Sequence, residues 1–125
     1  MSKSVEDLRI VNVTCPDEAT ALAIARLAVE RRLAACANIV PGVRTIYRWM
    51  GEVNEDSEVL LTLKTREDFV ESLFTAIVAN HPYQQPAIEV LSLSGAGRGV
   101  AAWIKAETGG EASTSLPKGF KGAEG

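Results

Sequence analysis

The sequence predicts an α+β domain of β-α-β-β-α-β order with an extra C-terminal helix. Three observations carry that prediction. Short runs rich in aliphatic and β-branched residues alternate with segments at helical spacing. Two of the strand-like runs, 34–49 and 58–65, follow one another with only a turn between them, which interrupts the alternation expected of an all-parallel sheet. The composition is that of one soluble globular unit: 125 residues, 46% hydrophobic and 23% charged, enough for a core without disulfide staples.

The first strand is read over Leu8 to Thr14, where Leu8, Ile10 and Val13 mix alternation with a continuous apolar run. Cys15-Pro16 ends it, and Thr14 or Asp17 can cap the helix that follows. That helix spans Asp17 to Leu33, with many alanines and no glycine. Leu22, Ala25, Val29 and Leu33 form its expected inner stripe, and Ile24 with Leu27 widens the apolar arc. The excess suggests either a deeply seated helix or one that also meets a neighbouring subunit. Ala34 to Trp49 reads as a long strand with a kink at Pro41-Gly42. Met50-Gly51-Glu52 turns the chain, residues 53–56 are a polar approach, and Glu58 to Thr65 completes a long hairpin. Its pleat places Glu58, Leu60, Thr62 and Lys64 on one face and Val59, Leu61, Leu63 and Thr65 on the other. A second helix is expected from Arg66 to Asn80, capped by Thr65 and stopped by His81-Pro82. Its inner positions are Phe69, Leu73, Ala76 and Ile77. Ala87 to Leu93 is the fourth strand, 94–99 a glycine-rich hinge, and Val100 to Glu107 a closing helix carrying Trp103. The folded domain is thus expected over 1–108. The stretch 109–125, rich in Gly, Ser, Lys and Glu, is expected to be a flexible tail.

Several function classes are excluded on composition. A net charge of -3 is unlike a broad nucleic-acid footprint, and no apolar run reaches the ~20 residues of a membrane span. The N-terminus lacks an apolar signal core, so a cytoplasmic protein with two free thiols, Cys15 and Cys36, is expected. Two helices can cover only one face of a four-stranded sheet. The other face, carrying Leu60 beside Thr62, needs a cover, and self-association supplies it.

No arrangement of catalytic residues emerges: there is no nucleophile elbow, no phosphate-binding loop with lysine, and only one histidine. His81, at a helix end, is either a cap near the negative end of the dipole or a metal ligand. As a ligand it would draw on carboxylates such as Glu58 or on a thiol. Cys36 suits a small buried hydrophobe, whereas Cys15, at a strand end, is expected to be more exposed and open to soft Cu(I). Glu58 and Lys64 share a strand face. They form either a polar group at a wet interface edge or part of a cleft with Trp49, Tyr83 and His81. Tyr47 and Trp49 read first as interface anchors. Arg48, between them, points the other way.

Several runs occur in a telling order: Leu33-Ala34-Ala35-Cys36-Ala37-Asn38-Ile39, Pro41-Gly42, Tyr47-Arg48-Trp49-Met50-Gly51, Glu58 with Leu63-Lys64-Thr65, and His81-Pro82-Tyr83 with Pro86. Over residues 8 to 107 the chain resembles the CutA family, the divalent-cation tolerance proteins. It departs from that pattern at Ala87, at Val100-Ala101 and in the glycines 95, 97 and 99. The resemblance implies a ferredoxin-like subunit in a tight homotrimer whose long hairpins pair across interfaces. It also implies a role tied to copper or another divalent metal ion, with no tightly bound cofactor. The competing expectations are a trimeric sensor taking a nucleotide or organic anion in an interface cleft near Lys64 and Arg98, and a small hydrolase on the same superfold.

Overall fold

The structure, a computed structural model, describes residues 5–110. The expected tail therefore lies outside the described residues apart from Gly109 and Gly110. Seven main elements follow in order: β1 (Leu8–Cys15), α1 (Glu18–Glu30), β2 (Cys36–Trp49), β3 (Glu52–Arg66), α2 (Val70–Asn80), β4 (Ile88–Ser92) and α3 (Val100–Glu107). The sheet runs β2-β3-β1-β4, and every neighbouring pair is antiparallel. This is the split βαβ arrangement expected from the element order.

The register sorts the side chains by parity. Val11, Val13 and Cys15 of β1 and Val59, Leu61 and Leu63 of β3 join Ile24, Leu73 and Ile77 in the main core under α1 and α2. Leu61 and Leu63 are fully buried, which contributes roughly 2 kcal/mol each. On the opposite face, Leu8 joins Ala35, Ala101, Trp103 and Ile104 in a second cluster beneath α3. Beyond α3 no described residue covers that face. Ile10, Leu60 and Lys64 are half-buried there, while Val40 and Leu91 are exposed.

Asp17 caps α1, its carboxylate accepting from the Thr20 N–H at 2.8 Å. The buried side of α1 is Ala21, Ile24, Ala25 and Ala28, one position round from the expected stripe. Small side chains there let the helix lie close to the sheet, and Leu22 and Val29 are left exposed. The helix stops at Glu30 rather than Leu33 because Arg32 turns left-handed at φ 62. The strain is offset by Arg32 donating to the carbonyls of Gly109 and Ala106 at 3.0 and 2.7 Å. Gly109 in turn donates its N–H to the Arg32 carbonyl, so this residue of the expected tail is held against the domain.

The hairpin is longer than its hydrophobic pattern indicates. Residues 53–56 are paired strand, sustained by the ladder to β2 rather than by burial. Met50 and Gly51 both take positive φ, 51° and 83°, which makes a two-residue turn matched to the strand twist. The kink at Pro41-Gly42 is a shift of register between Val40 and Val43, with Gly42 at φ 74. Thr65 does not cap the second helix. Its parity aims it into the core, where its hydroxyl donates to the Leu33 carbonyl at 2.6 Å, and a short 3-10 turn over Glu67–Phe69 precedes α2. α2 ends at His81, which is extended as a residue before proline should be.

Candidate functional site

The polar side chains of chemical interest gather where the hairpin leaves the sheet. The register shift after Val40 brings Val43 opposite Glu58, on the face away from α1 and α2. Glu58 is only 6% exposed and accepts a hydrogen bond from the Tyr83 hydroxyl at 2.8 Å. Two residues up the same strand face, Asp56 accepts from Tyr47 at 2.6 Å. Burial, then the bond to Glu58 and the nearby charges, raises the Tyr83 phenol far above its ordinary value. The bond to Asp56 is the main cause of a rise at Tyr47. Both phenols are thus held neutral as donors. Neither Asp56 nor Glu58 has a Lys or Arg ion-pair partner among the described residues. The cluster is locally negative.

His81 is buried at the floor of this region. Its Nδ1 accepts from the Tyr83 N–H at 3.1 Å, so Nε2 carries the proton and donates to the Thr14 carbonyl at 2.9 Å. The neutral imidazole is fully satisfied, and its ring lies 4.7 Å from that of Tyr83. The histidine ties the end of α2 to the end of β1.

Cys15 corrects an expectation. It is fully buried in the main core, because it shares the parity of Val11 and Val13. Burial, with Asp17 and Glu58 adding repulsion, pushes its thiol up to about 11. Cys36 is the half-buried one, beside Lys64 on the other face. The two cysteines exchange the roles that their flanking residues suggested.

Cys15, Glu58 and His81 therefore meet at one end of the sheet without aiming at one point. Cys15 faces the helices, Glu58 faces away, and both ring nitrogens of His81 are engaged. Among the described residues, no group of three or more His, Cys, Asp or Glu side chains is disposed to hold a metal ion. Within one chain these residues do not fit a resident metal.

The expected cleft residues divide as well. Tyr47 and Tyr83 approach each other through neighbouring carboxylates. Trp49 pairs with Glu52 at the far end of the hairpin, about 20 Å along the strand from Glu58. Lys64 lies about as far in the other direction, between Ile10 and Cys36. Asp56 was the missed member. Its signal was the alternate spacing with Glu58, hidden because 53–56 read as an approach rather than a strand.

An antiparallel β2-β3-β1-β4 sheet with two helices on one face and a hairpin projecting beyond it defines a ferredoxin-like subunit with a C-terminal addition. The sequence profile of the CutA1 divalent ion tolerance proteins matches residues 9–107, and the chain belongs to that family. It is 45% identical over 100 residues to the divalent-cation tolerance protein CutA of Thermus thermophilus, covering 80% of this chain and 97% of that one. It is 39% identical to the chloroplastic protein CutA of Arabidopsis thaliana over 86% of this chain and 58% of that longer one. Among solved structures, CutA1 from Oryza sativa superposes with a TM-score of 0.80 at 34% identity, covering 87% of this chain and all of that one. The Thermus thermophilus structure superposes with 0.79 at 44% identity, covering 82% and 99%. The family is named for tolerance of divalent ions and not for a reaction. No helix among the described residues is long and apolar enough to cross a membrane.

Proposed function

We propose that this chain serves divalent-cation tolerance as a cytoplasmic, non-enzymatic subunit that works as a homotrimer. A divalent ion, copper foremost, would be met by groups from more than one subunit. The observation that carries this reading is the family match across residues 9–107. The uncovered sheet face gives each subunit a surface to close against its copies. The unpaired carboxylates of Asp56 and Glu58 offer hard oxygen donors at the base of a hairpin long enough to reach a neighbour.

Light scattering on the purified protein, combined with thermal melts in Cu2+, Zn2+ and Mg2+, tests the reading. A trimer whose melting temperature rises with copper and falls back with a chelator supports it, because selective binding to the native state stabilises. A stable monomer, or a melting temperature indifferent to all three ions, ends it. The second reading, an anion sensor, is favoured by one observation. Lys64 is half-buried on the open face without an ion-pair partner among the described residues. A melting shift with a nucleotide panel, abolished in Lys64→Met, would bring it forward.

A further inference from the structure

The closing helix α3 is held very differently at its two ends. Its N-terminal end is loose. Gly99 stands at the cap position with φ 84, no side chain caps the first turn, and that turn carries no acidic residue. At Gly97 a Cβ would meet only Val100, at an ordinary 3.7 Å, and the backbone there is outside the left-handed region. Glycine at 97 is thus required by neither space nor φ, and what it supplies is freedom to pivot. The C-terminal end is gripped. Arg32, just past α1, donates from Nη2 to the Ala106 carbonyl at 2.7 Å and from Nε to the Gly109 carbonyl at 3.0 Å. Arg66, the last residue of β3, donates from Nε to the Thr108 hydroxyl at 2.8 Å and from Nη2 to the Thr108 carbonyl at 3.0 Å. The Thr108 hydroxyl in turn donates to the Ile104 carbonyl at 2.8 Å.

We propose that α3 is a hinged flap on the sheet, pivoting on the glycines of 95–99 and latched shut by Arg32 and Arg66 acting on residues 106–109. Three features support the latch. The two guanidinium forks take up carbonyls at the C-terminal end of the helix, where such groups lack intrahelical partners and where positive charge meets the negative end of the dipole. Both side chains are mostly buried, 18% and 23% exposed, so water competes little for their donors. Register aims one of them: Leu8 pairs with Arg66, so the parity that puts Leu8 beneath α3 sends Arg66 to the same side. A helix of eight residues does not persist in water unsupported, so the flap docks or is lost as one unit. Closed, it buries Trp103 and Ile104 against Leu8 and Ala35. Open, it bares that cluster on the face assigned above to association, and the latch thereby sets how much apolar surface a neighbour can meet. That consequence rests on the reading of the face as an assembly surface; the latch itself does not.

Amide hydrogen exchange on the full chain, resolved by segment, tests the flap. In the wild type the amides of 103–107 should exchange together and ahead of those of β1 and β3, because the flap opens without the sheet. In Arg32→Met/Arg66→Met the same set should exchange faster, on the order of a hundredfold, and still ahead of the sheet. Arg32→Lys/Arg66→Lys, which keeps the charge and loses the fork, should fall between the two. Unchanged exchange of 103–107 in the methionine variant overturns the proposal. One common rate for α3 and the sheet in either protein also overturns it, since α3 would then open only when the whole chain unfolds. So does a lysine variant that matches the wild type, because charge alone would then hold the helix. Light scattering reads assembly separately, so a chain found to be monomeric would end the association reading and leave the exchange result to decide the latch.

Discussion

Burial of the Cys15 thiol makes a specific demand on stability at high pH. Its pKa is raised from the ordinary 9.0 to about 11, chiefly by burial. Below about pH 9 the thiol is protonated whether the chain is folded or not, and the folded state suffers no penalty. Between the two values the unfolded chain releases the proton and the folded chain retains it, so stability falls as pH rises. It stops falling only once the folded thiol ionises as well. A gap of about two pH units corresponds to ~3 kcal/mol in full, of which about 2 kcal/mol is lost by about pH 10.5. Tyrosines and lysines titrate in the same range, so the measurement is a difference. Urea unfolding of the wild type and of Cys15→Ala is compared at about pH 7.5 and about pH 10.5, under reducing conditions and at one protein concentration. At neutral pH the variant should be less stable by ~1 kcal/mol, for the small cavity it leaves. The wild type should then lose about 2 kcal/mol more than the variant on going to high pH. Parallel losses in the two proteins would refute the assignment of Cys15 to the core. The consequence reaches function: a thiol sealed in the core is out of reach of copper, and Cys15→Ala should keep whatever melting response to copper the wild type has.

Three further substitutions probe the scaffold that positions the cluster. Met50→Asn should raise stability by about 0.5–1 kcal/mol in thermal melts, because asparagine accepts the left-handed conformation that Met50 is forced into at φ 51. Gly109→Ala should lower stability by more than ~1 kcal/mol, since its new Cβ would clash with the Phe69 ring at a φ of +69°. Asp17→Ala removes the α1 cap and should lower the melting temperature at neutral pH. The bond to the Thr20 backbone lowers the Asp17 pKa below 3.8, so the difference between wild type and variant should disappear as pH falls through that region.

What the sequence made legible was what repeats. The alternation Val59-Leu61-Leu63-Thr65 against Glu58-Leu60-Thr62-Lys64 fixed the two faces of β3 and, with them, the uncovered side of the sheet. Proline and glycine marked the bulge at 41–42 and the end of α2. Illegible was anything decided by a partner distant in the chain. Cys15 and Cys36 look alike locally, and only their pairing with Val59 and Lys64 shows which one faces the helices. The α1 stripe was misplaced because hydrophobic weight favours Leu22 and Val29, whereas close packing favours the alanines. His81 was placed correctly at a helix end, but its engagement with Thr14 depends on a contact 67 residues away.

The open face also limits how copies can cover it. Across the sheet, Glu89, Asn12, Thr62 and Asn38 stand opposite one another in register, with Thr62 donating to Asn12 at 2.8 Å. Leu60 lies on one side of this polar row and Ile10 on the other, next to Lys64. A partner that simply buried the face would leave Glu89 and Lys64 desolvated and unpaired, at a cost larger than the apolar area returns. Favourable association therefore requires a geometry in which a neighbour supplies a cation to the Glu89 edge and an anion or water path to Lys64. In a ring, each subunit meets its neighbours through two different surfaces, so one copy can supply what the next one lacks. A two-fold pair must meet both needs with a single self-complementary patch. In the homotrimer proposed above, the polar row would set a closed ring apart from non-specific stacking of sheets. Glu89→Leu, which removes the demand for specificity while adding apolar surface, should broaden the distribution of assembly sizes seen by light scattering rather than tighten it.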